Sequence, residues 1–369
     1  MGIPVPRRFV VVATSIVLVL VFLYTTSDTS YAHNVKSKLP SSWQSSWSSS
    51  STAKVEPIVL DPSCSTLPGV EDVLLVMKTG SSVIDKRLPV HFKTTFRCTP
   101  DFLVFSDLAQ DFHGLQVHDS LDELYKYVDM SNPDLKYYEY LKSSTAKKTQ
   151  GWRDRWASKS EVDQLEGKES DKAWEMDKYK NIPILRKSYA MYPEKKWFVF
   201  VDADTSIMWG NILTWLRLLD SSKPFYTGSQ NWIGDVEFAH GGSGYIISQA
   251  AARILADEEE EKAKKHIAFA EHECCGDMVL AHALHDNNIA LNGSWPNIQG
   301  SRPDTLDYDE NKWCHAAMTF HHTTPAQTEE LWRLDREMEN VKVSLHIYLS
   351  FPHTTPFWPR TVERKANIT

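Results

Sequence analysis

Clustered positive charge is missing from this chain. Its 48 acidic residues outnumber its 40 Lys and Arg, the net charge is −8, and no long basic run occurs. A surface that follows a phosphate backbone needs such a run, so nucleic-acid partners are excluded. The balance suits an anionic substrate held through a metal. No G-x-G-x-x-G is present, which removes the dinucleotide fingerprint. No C-x-x-C is present either, and cysteine is sparse, at five residues. Zinc on His272, Cys274, Cys275 and Cys314 is therefore disfavoured, because adjacent cysteines are poor partners on one tetrahedral ion. The chain does have bulk, with 369 residues, 42% of them hydrophobic, and 13 Trp. That suffices for one α/β domain of roughly 250–300 residues plus extensions, or for two domains. Trp faces stack on sugars but also fill ordinary cores, and the core is the default for any one of them.

The N-terminus sets the expected compartment. Arg7 and Arg8 precede an uncharged apolar stretch at residues 9–24. Basic residues before such a segment keep the N-terminus cytosolic. The stretch is slightly shorter than the about 17–25 residues of a spanning helix and overlaps the length of a signal-peptide core. Ala32 after Tyr31 makes a poor cleavage site, which favours an uncleaved signal-anchor over a signal peptide. Either reading sends the rest of the chain into the secretory lumen. The expected layout is a cytosolic tail at 1–8, an anchor at 9–24, a Ser/Thr-rich stem at 25–67, a catalytic domain at 68–340 and a tail of unassigned role at 341–369. Disulfides persist in a lumen, so the cysteines are expected to pair. Five is odd, so one is left over, and the pairing stays open. Sequons occur at Asn292-Gly293-Ser294 and Asn367-Ile368-Thr369; the first, if glycosylated, marks a surface loop.

The folded part reads as a Rossmann-like α/β domain. Residues 73–78 form an apolar run closed by Thr79-Gly80, and residues 101–107 form another that ends in Asp107. Residues 88–95 between them suggest a helix, and such apolar strands suggest parallel pairing. Residues 174–191 read as a helix that Pro183 starts or kinks. Ile212, Trp215, Leu216 and Leu219 recur at helical spacing. Ser248 is placed to cap a further helix with Ala251, Ile254 and Leu255 inward. Its far half, residues 257–265, pairs Glu258 with Lys262 and Glu261 with Lys265 as a solvated face.

Four clusters carry candidate chemistry. The run Trp197-Phe198-Val199-Phe200-Val201-Asp202-Ala203-Asp204-Thr205 lifts two acids to the end of an apolar strand, where a divalent metal with a phosphorylated substrate could sit. A polar turn would produce the same string. His240-Gly241-Gly242-Ser243-Gly244-Tyr245 lets backbone approach a ligand and exposes N–H groups, as a tight turn also does. Glu273-Cys274-Cys275-Gly276-Asp277 precedes a helix, with Asp277 where an N-cap belongs. Cys314-His315-Ala316-Ala317-Met318-Thr319-Phe320-His321-His322 delivers two histidines to a strand end. Lys178 or Lys180 could meet phosphate, although a solvated surface lysine is the default.

These four motifs, in this order, resemble the Fringe and core-1 β-1,3-galactosyltransferase family of inverting glycosyltransferases over residues 70–335. Residues 197–205 resemble its W-F-x-x-x-D-D-D-T, residues 241–245 its G-G-A-G-Y, Gly276-Asp277 an acidic pair ahead of a helix, and Phe320-His321 its S-F-H. The resemblance implies a GT-A fold with a mixed, mainly parallel sheet, a UDP-sugar donor, Mn²⁺ or another divalent cation, a glycan or glycoprotein acceptor and a β-1,3-type linkage. It implies a type II Golgi or endoplasmic reticulum membrane protein with a lumenal catalytic domain. Asp204 and His321 match the metal ligands and Asp277 the catalytic base. Asp202, Ala203, Gly241, Gly242 and Ser243 match donor-binding positions. Two positions depart from the pattern: Ala203 stands for the middle Asp, and Gly276 for an acid. The residue types suit the chemistry. Inverting transfer needs a carboxylate to take the acceptor hydroxyl's proton and a cation beside the leaving diphosphate. An inactive relative that binds a glycan or acts as a chaperone is the alternative expectation.

Overall fold

The apolar run at residues 73–78 forms strand β1, Val73–Lys78, with five of its six residues buried. A strand buried on both faces has no polar alternation, which is why the run is continuous. The structure is a computed structural model that describes residues 58–64, 67–129, 131–145, 175–307, 309, 312 and 315–340. All of them fall within the unit Ala53–Thr369. The expected anchor at 9–24, most of the stem, Cys314, the second sequon and the tail lie outside the described residues. Among the described residues no helix is long and apolar enough to cross a membrane. Residues 58–64, assigned by composition to the stem, belong to the folded unit: Cys64 is buried and disulfide-bonded to Cys98.

After β1 the chain makes two short helices, α1 (Ile84–Arg87) and α2 (Pro89–Lys93), then a 3-10 turn at Thr95–Cys98. The sequence suggested one helix at 88–95. Pro89 lacks an N–H and begins a fresh helix instead. Strand β2 (Phe102–Ser106) follows, then the hairpin β3 (Gln110–Phe112) and β4 (Leu115–Asp119), and helix α3 (Leu135–Thr145). Helix α4 (Asn181–Met191) places Pro183 in its first turn, where a missing N–H is harmless. Strand β5 (Trp197–Asp202), β6 (Ser206–Ile207), α5 (Trp209–Leu216), β7 (Tyr226–Gly228), β8 (Gln230–Ile233), β9 (Val236–Ala239) and β10 (Tyr245–Ser248) come next. Ser248 does cap α6 (Gln249–Ala256), its Oγ accepting from Ala251 N at 3.2 Å.

The acidic segment differs from expectation. Helix α6 stops at Ala256 and a separate α7 spans Glu260–Phe269. Glu258 is not solvated: its side chain is 3% exposed and accepts from His266 and Asn287. Helix α8 (Gly276–His285), β11 (Leu291–Gly293), β12 (Thr319–Phe320) and α9 (Pro325–Asn340) complete the order. The sequon at Asn292 therefore lies on an edge strand rather than in a loop.

Eight strands form one sheet in the order β11-β7-β10-β5-β1-β2-β4-β3. Strands β5, β1, β2 and β4 run parallel, β10 is antiparallel to both its neighbours, and β11 is parallel to β7. This mixed, mainly parallel sheet with helices is compatible with a Rossmann-like fold. Its core gathers Leu75, Met77, Val199, Val201, Trp209 and Ile212 among others. Each such side chain adds about 1.5–3 kcal/mol through burial. Two registers position the site. Parallel pairing of β1 with β5 sets Lys78 beside Asp202. Antiparallel pairing of β6 with β12 sets Phe320 opposite Ser206. Continued outward, that register brings His322 opposite Asp204.

Candidate metal and donor site

The parallel strands end at one cavity of about 520 Å³. Ligands of open α/β sheets bind outside the carboxyl ends of the strands, and this cavity lies there. Its wall includes Asp202, Ala203, Asp204, Gly241, Gly242, Asp277 and His321, seven of the eight site residues expected from sequence. Ser243 does not line it. That side chain is fully buried, with Oγ 2.7 Å from His240 Nδ1.

Beyond β5 the chain turns sharply, with Thr205 N donating to Asp202 O at 2.9 Å. Ala203 is buried, its N–H bonded to Lys78 O and its carbonyl to His91 Nε2, both at 2.9 Å. Burial depresses His91 to about 4, so the neutral ring donates from Nε2 and takes the Thr95 hydroxyl on Nδ1. Asp204 O accepts from Thr323 N and from Thr323 Oγ1, each at 3.0 Å, which fixes the position of its carboxylate.

Three side chains converge on that carboxylate. His321 Nε2 lies 3.6 Å from Oδ1, His322 Nδ1 lies 3.3 Å from Oδ2, and Arg87 pairs with Oδ2. Adjacent residues of an extended strand point to opposite sides. His322 instead has φ +56°, and the two rings stack at 3.7 Å. This left-handed conformation costs about 1–2 kcal/mol and lets both imidazoles face one acid. Burial would raise the Asp204 pKa, but His321 and Arg87 outweigh it and hold the group well below the usual carboxylate range.

Asp202 has different company. Burial and the neighbouring Asp177 and Asp204 raise its pKa, against the pull of Lys78 at 3.4 Å. Lys78 also donates to Asp177 at 2.5 Å. Burial alone would lower the Lys78 pKa, but those two acids hold it far above the ordinary lysine value. Lys180 is buried, 3.5 Å from Asp177 and 3.8 Å from Asp107. Lys178 reaches Asp134 at 2.8 Å. Neither is the solvated surface lysine taken as the default.

The glycine loop makes room for side chains. A Cβ on Gly242 would lie 2.2 Å from His321 Cε1, so the missing side chain seats the histidine ring. A Cβ on Gly241 would lie 3.4 Å from Asp277, and its N–H donates to Asp277 Oδ2 at 2.8 Å. Gly244, at φ +86°, is turned so that a Cβ would meet Phe200 O at 3.1 Å. Asp277 is not the N-cap of α8. Cys275 holds that place, and Asp277 sits in the first turn with Oδ1 accepting from Met278 N at 2.9 Å. Gly276 packs tightly enough for a Cβ to fall 2.6 Å from Asp177 O, which excludes an acidic side chain there. Cys274 and Cys275 pair with each other, which removes them as thiolate ligands for zinc.

The donor set fits a divalent cation. Asp204, His321 and His322 offer one oxygen and two imidazole nitrogens within 4.8 Å of one another. Mn²⁺ and related ions accept that mixture. His321 Nδ1 is buried without a hydrogen-bond partner. His322, Arg87, Lys78, Asp177 and His91 were not assigned roles from sequence. His322 was visible beside His321, whereas the others reach the site through sheet register and turns. No protein-family model matches the chain, and no curated protein matches it.

Proposed function

We propose that the protein is a metal-dependent inverting glycosyltransferase that moves a sugar from a UDP-sugar to a hydroxyl of a glycan or glycoprotein, with a β-1,3-type linkage. The observation that carries the reading is the Asp204–His321–His322 cluster sharing one cavity with Asp277 at the ends of parallel strands. The resemblance to Fringe and core-1 transferases supports the GT-A assignment, the UDP-sugar donor and the lumenal, membrane-anchored placement in the Golgi or endoplasmic reticulum. Asp204, His321 and His322 would hold the cation, which when bound supplies charge to a leaving diphosphate. Asp277 takes the proton of the acceptor hydroxyl as the glycosidic bond forms. Gly241 N–H and Met278 N–H hold its two oxygens and aim the carboxylate. Lys78 and Lys180 together offset Asp202 and Asp177 and keep them from repelling an anionic donor.

The test is UDP release by the full chain in detergent, with Mn²⁺, a UDP-sugar panel and sugar acceptors. Asp204→Ala and Asp277→Ala should each abolish turnover, and intact turnover in either would overturn the assignment. A second reading is an inactive relative that binds a glycan or acts as a chaperone. It is favoured by Gly276, where the family's acid is sterically excluded. Mn²⁺-dependent UDP binding without transfer to any acceptor would establish it.

A further inference from the structure

We infer that Arg87 is a resident counter-cation of Asp204, that the divalent metal must displace it, and that its release into the cavity couples metal binding to nucleotide binding. The inference rests on Asp204, His321 and His322 being the metal ligands.

Arg87 ends α1 at the cavity rim, and its side chain is 41% exposed against 11% for Asp204. The carboxylate is fixed and the guanidinium is not. Arg87 pairs with Oδ2, the oxygen that His322 Nδ1 faces. A divalent ion on these three ligands would share that oxygen with the guanidinium. Two cations at such a distance in a partly buried site repel strongly, so one must leave. The half-exposed side chain is the one free to swing.

The other cavity cations do not compete for this role. Lys78 is held by Asp177 and Asp202, and Lys180 by Asp177 and Asp107. Lys180 is buried and the Lys78 side chain is only 13% exposed, and each keeps two acids when Asp204 is taken. Arg87 then lacks the partner it had, and it lines the same cavity. A guanidinium presents a planar fork that matches two phosphate oxygens, so a nucleotide diphosphate is the fitting new partner. Arg87 thus weakens the metal alone and strengthens the metal together with nucleotide.

Mn²⁺ binding to the full chain in detergent is measured by the electron paramagnetic resonance of free Mn²⁺, with and without UDP. Wild type, Arg87→Ala, Arg87→Lys and Asp204→Ala are compared after matching their thermal midpoints. In wild type, UDP should tighten Mn²⁺ by a factor of about 5–150, the usual range of such coupling. Arg87→Ala should bind Mn²⁺ alone more tightly than wild type, and UDP should then add little. Arg87→Lys keeps the charge without the fork and should fall between them. If Arg87→Ala binds Mn²⁺ alone no better than wild type while Asp204→Ala loses it, the counter-cation role is overturned and the metal site stands. If wild type and Asp204→Ala bind Mn²⁺ alike, the metal site fails and the inference fails with it.

Discussion

Gly242→Ala tests whether the glycine loop exists to seat His321. The added methyl would lie 2.2 Å from His321 Cε1, 2.4 Å from Nε2 and 2.8 Å from Nδ1, all far inside van der Waals contact. The ring cannot retreat freely. It is buried, stacked on His322 at 3.7 Å and edge-on to His240 at 5.4 Å. Overpacking of this kind costs about 1–3 kcal/mol. At roughly 2–4 °C per kcal/mol for a unit of this size, the thermal midpoint should fall by about 2–12 °C. If the ring turns out of the way instead, the midpoint holds and Mn²⁺ affinity drops by about 10–100-fold or more, as when a metal ligand loses its orientation. Calorimetry and Mn²⁺ titration read the two outcomes separately. Gly241→Ala is the control, because its methyl would meet Asp277 at 3.4 Å, close to ordinary contact. A Gly242→Ala protein with wild-type midpoint and wild-type Mn²⁺ affinity would refute the reasoning, since the clash would then be absorbed without moving His321.

Three further perturbations test the electrostatics. His91 is depressed from 6.5 to about 4 by burial, so its contribution is complete above pH 6.5 and is lost as pH falls toward 4. The loss is worth about 3 kcal/mol, and His91→Gln should flatten that limb of urea stability against pH. His266 is opposite in sign: burial opposes its charge, but Glu258 and Asp286, at 3.1 and 3.2 Å, raise its pKa. Its contribution is complete below pH 6.5 and is lost as pH rises through the folded value, a loss that His266→Gln should abolish in amide-exchange protection of α7. Lys78→Met leaves Asp202 without its ammonium and Asp177 with Lys180 alone, and at pH 7 it should cost less than the about 3–5 kcal/mol of a fully buried pair, because the two carboxylates are partly solvated. The cost should shrink at acid pH as those carboxylates protonate, and a cost independent of pH would rule out the ion-pair account.

Legibility in the sequence followed the range of the interaction. Strands β1 and β5 were readable because burial on both faces leaves a continuous apolar run. Ser248 was readable as a cap because its partner is three residues away. Asp202, Asp204, Asp277 and His321 each lie in a short, dense motif, which is why the sequence offers them as candidates, and the fold brings them to one cavity. Lys78 and Asp177 are separated by 99 positions, and His91 and Ala203 by 112, so no local pattern links them. A lysine at the polar end of a strand parallel to the acidic strand was the one available signal. The helix expected across residues 248–265 failed because Glu258, which looked like surface charge, turns inward to His266. Periodicity records spacing along a helix and does not show that a carboxylate has found a buried partner. In the sequence, Gly242 reads as a place where backbone meets ligand. The same absence of a side chain also admits a neighbouring ring, and only the three-dimensional packing separates the two uses.

Two acids one residue apart look equivalent in the sequence, yet the fold gives them unequal freedom. Asp202 ends β5 and is paired by register with Lys78, a largely enclosed ammonium that also holds Asp177. Removing that ammonium would leave two partly buried carboxylates facing each other, so the pairing is hard to exchange. Asp204 lies past the turn, outside the ladder, and its partners are a half-exposed guanidinium and two imidazoles. A cation entering the cavity can replace a half-exposed arginine more readily than the largely enclosed Lys78, which is bonded to two acids. On the proposed reading, Asp202 is the fixed counter-ion at the strand ends and Asp204 the exchangeable carboxylate. The alanine between them follows from the same geometry. Position 203 is buried, with its carbonyl committed to a neutral His91, and a third carboxylate there would carry the cost of burying a charge beside two other acids.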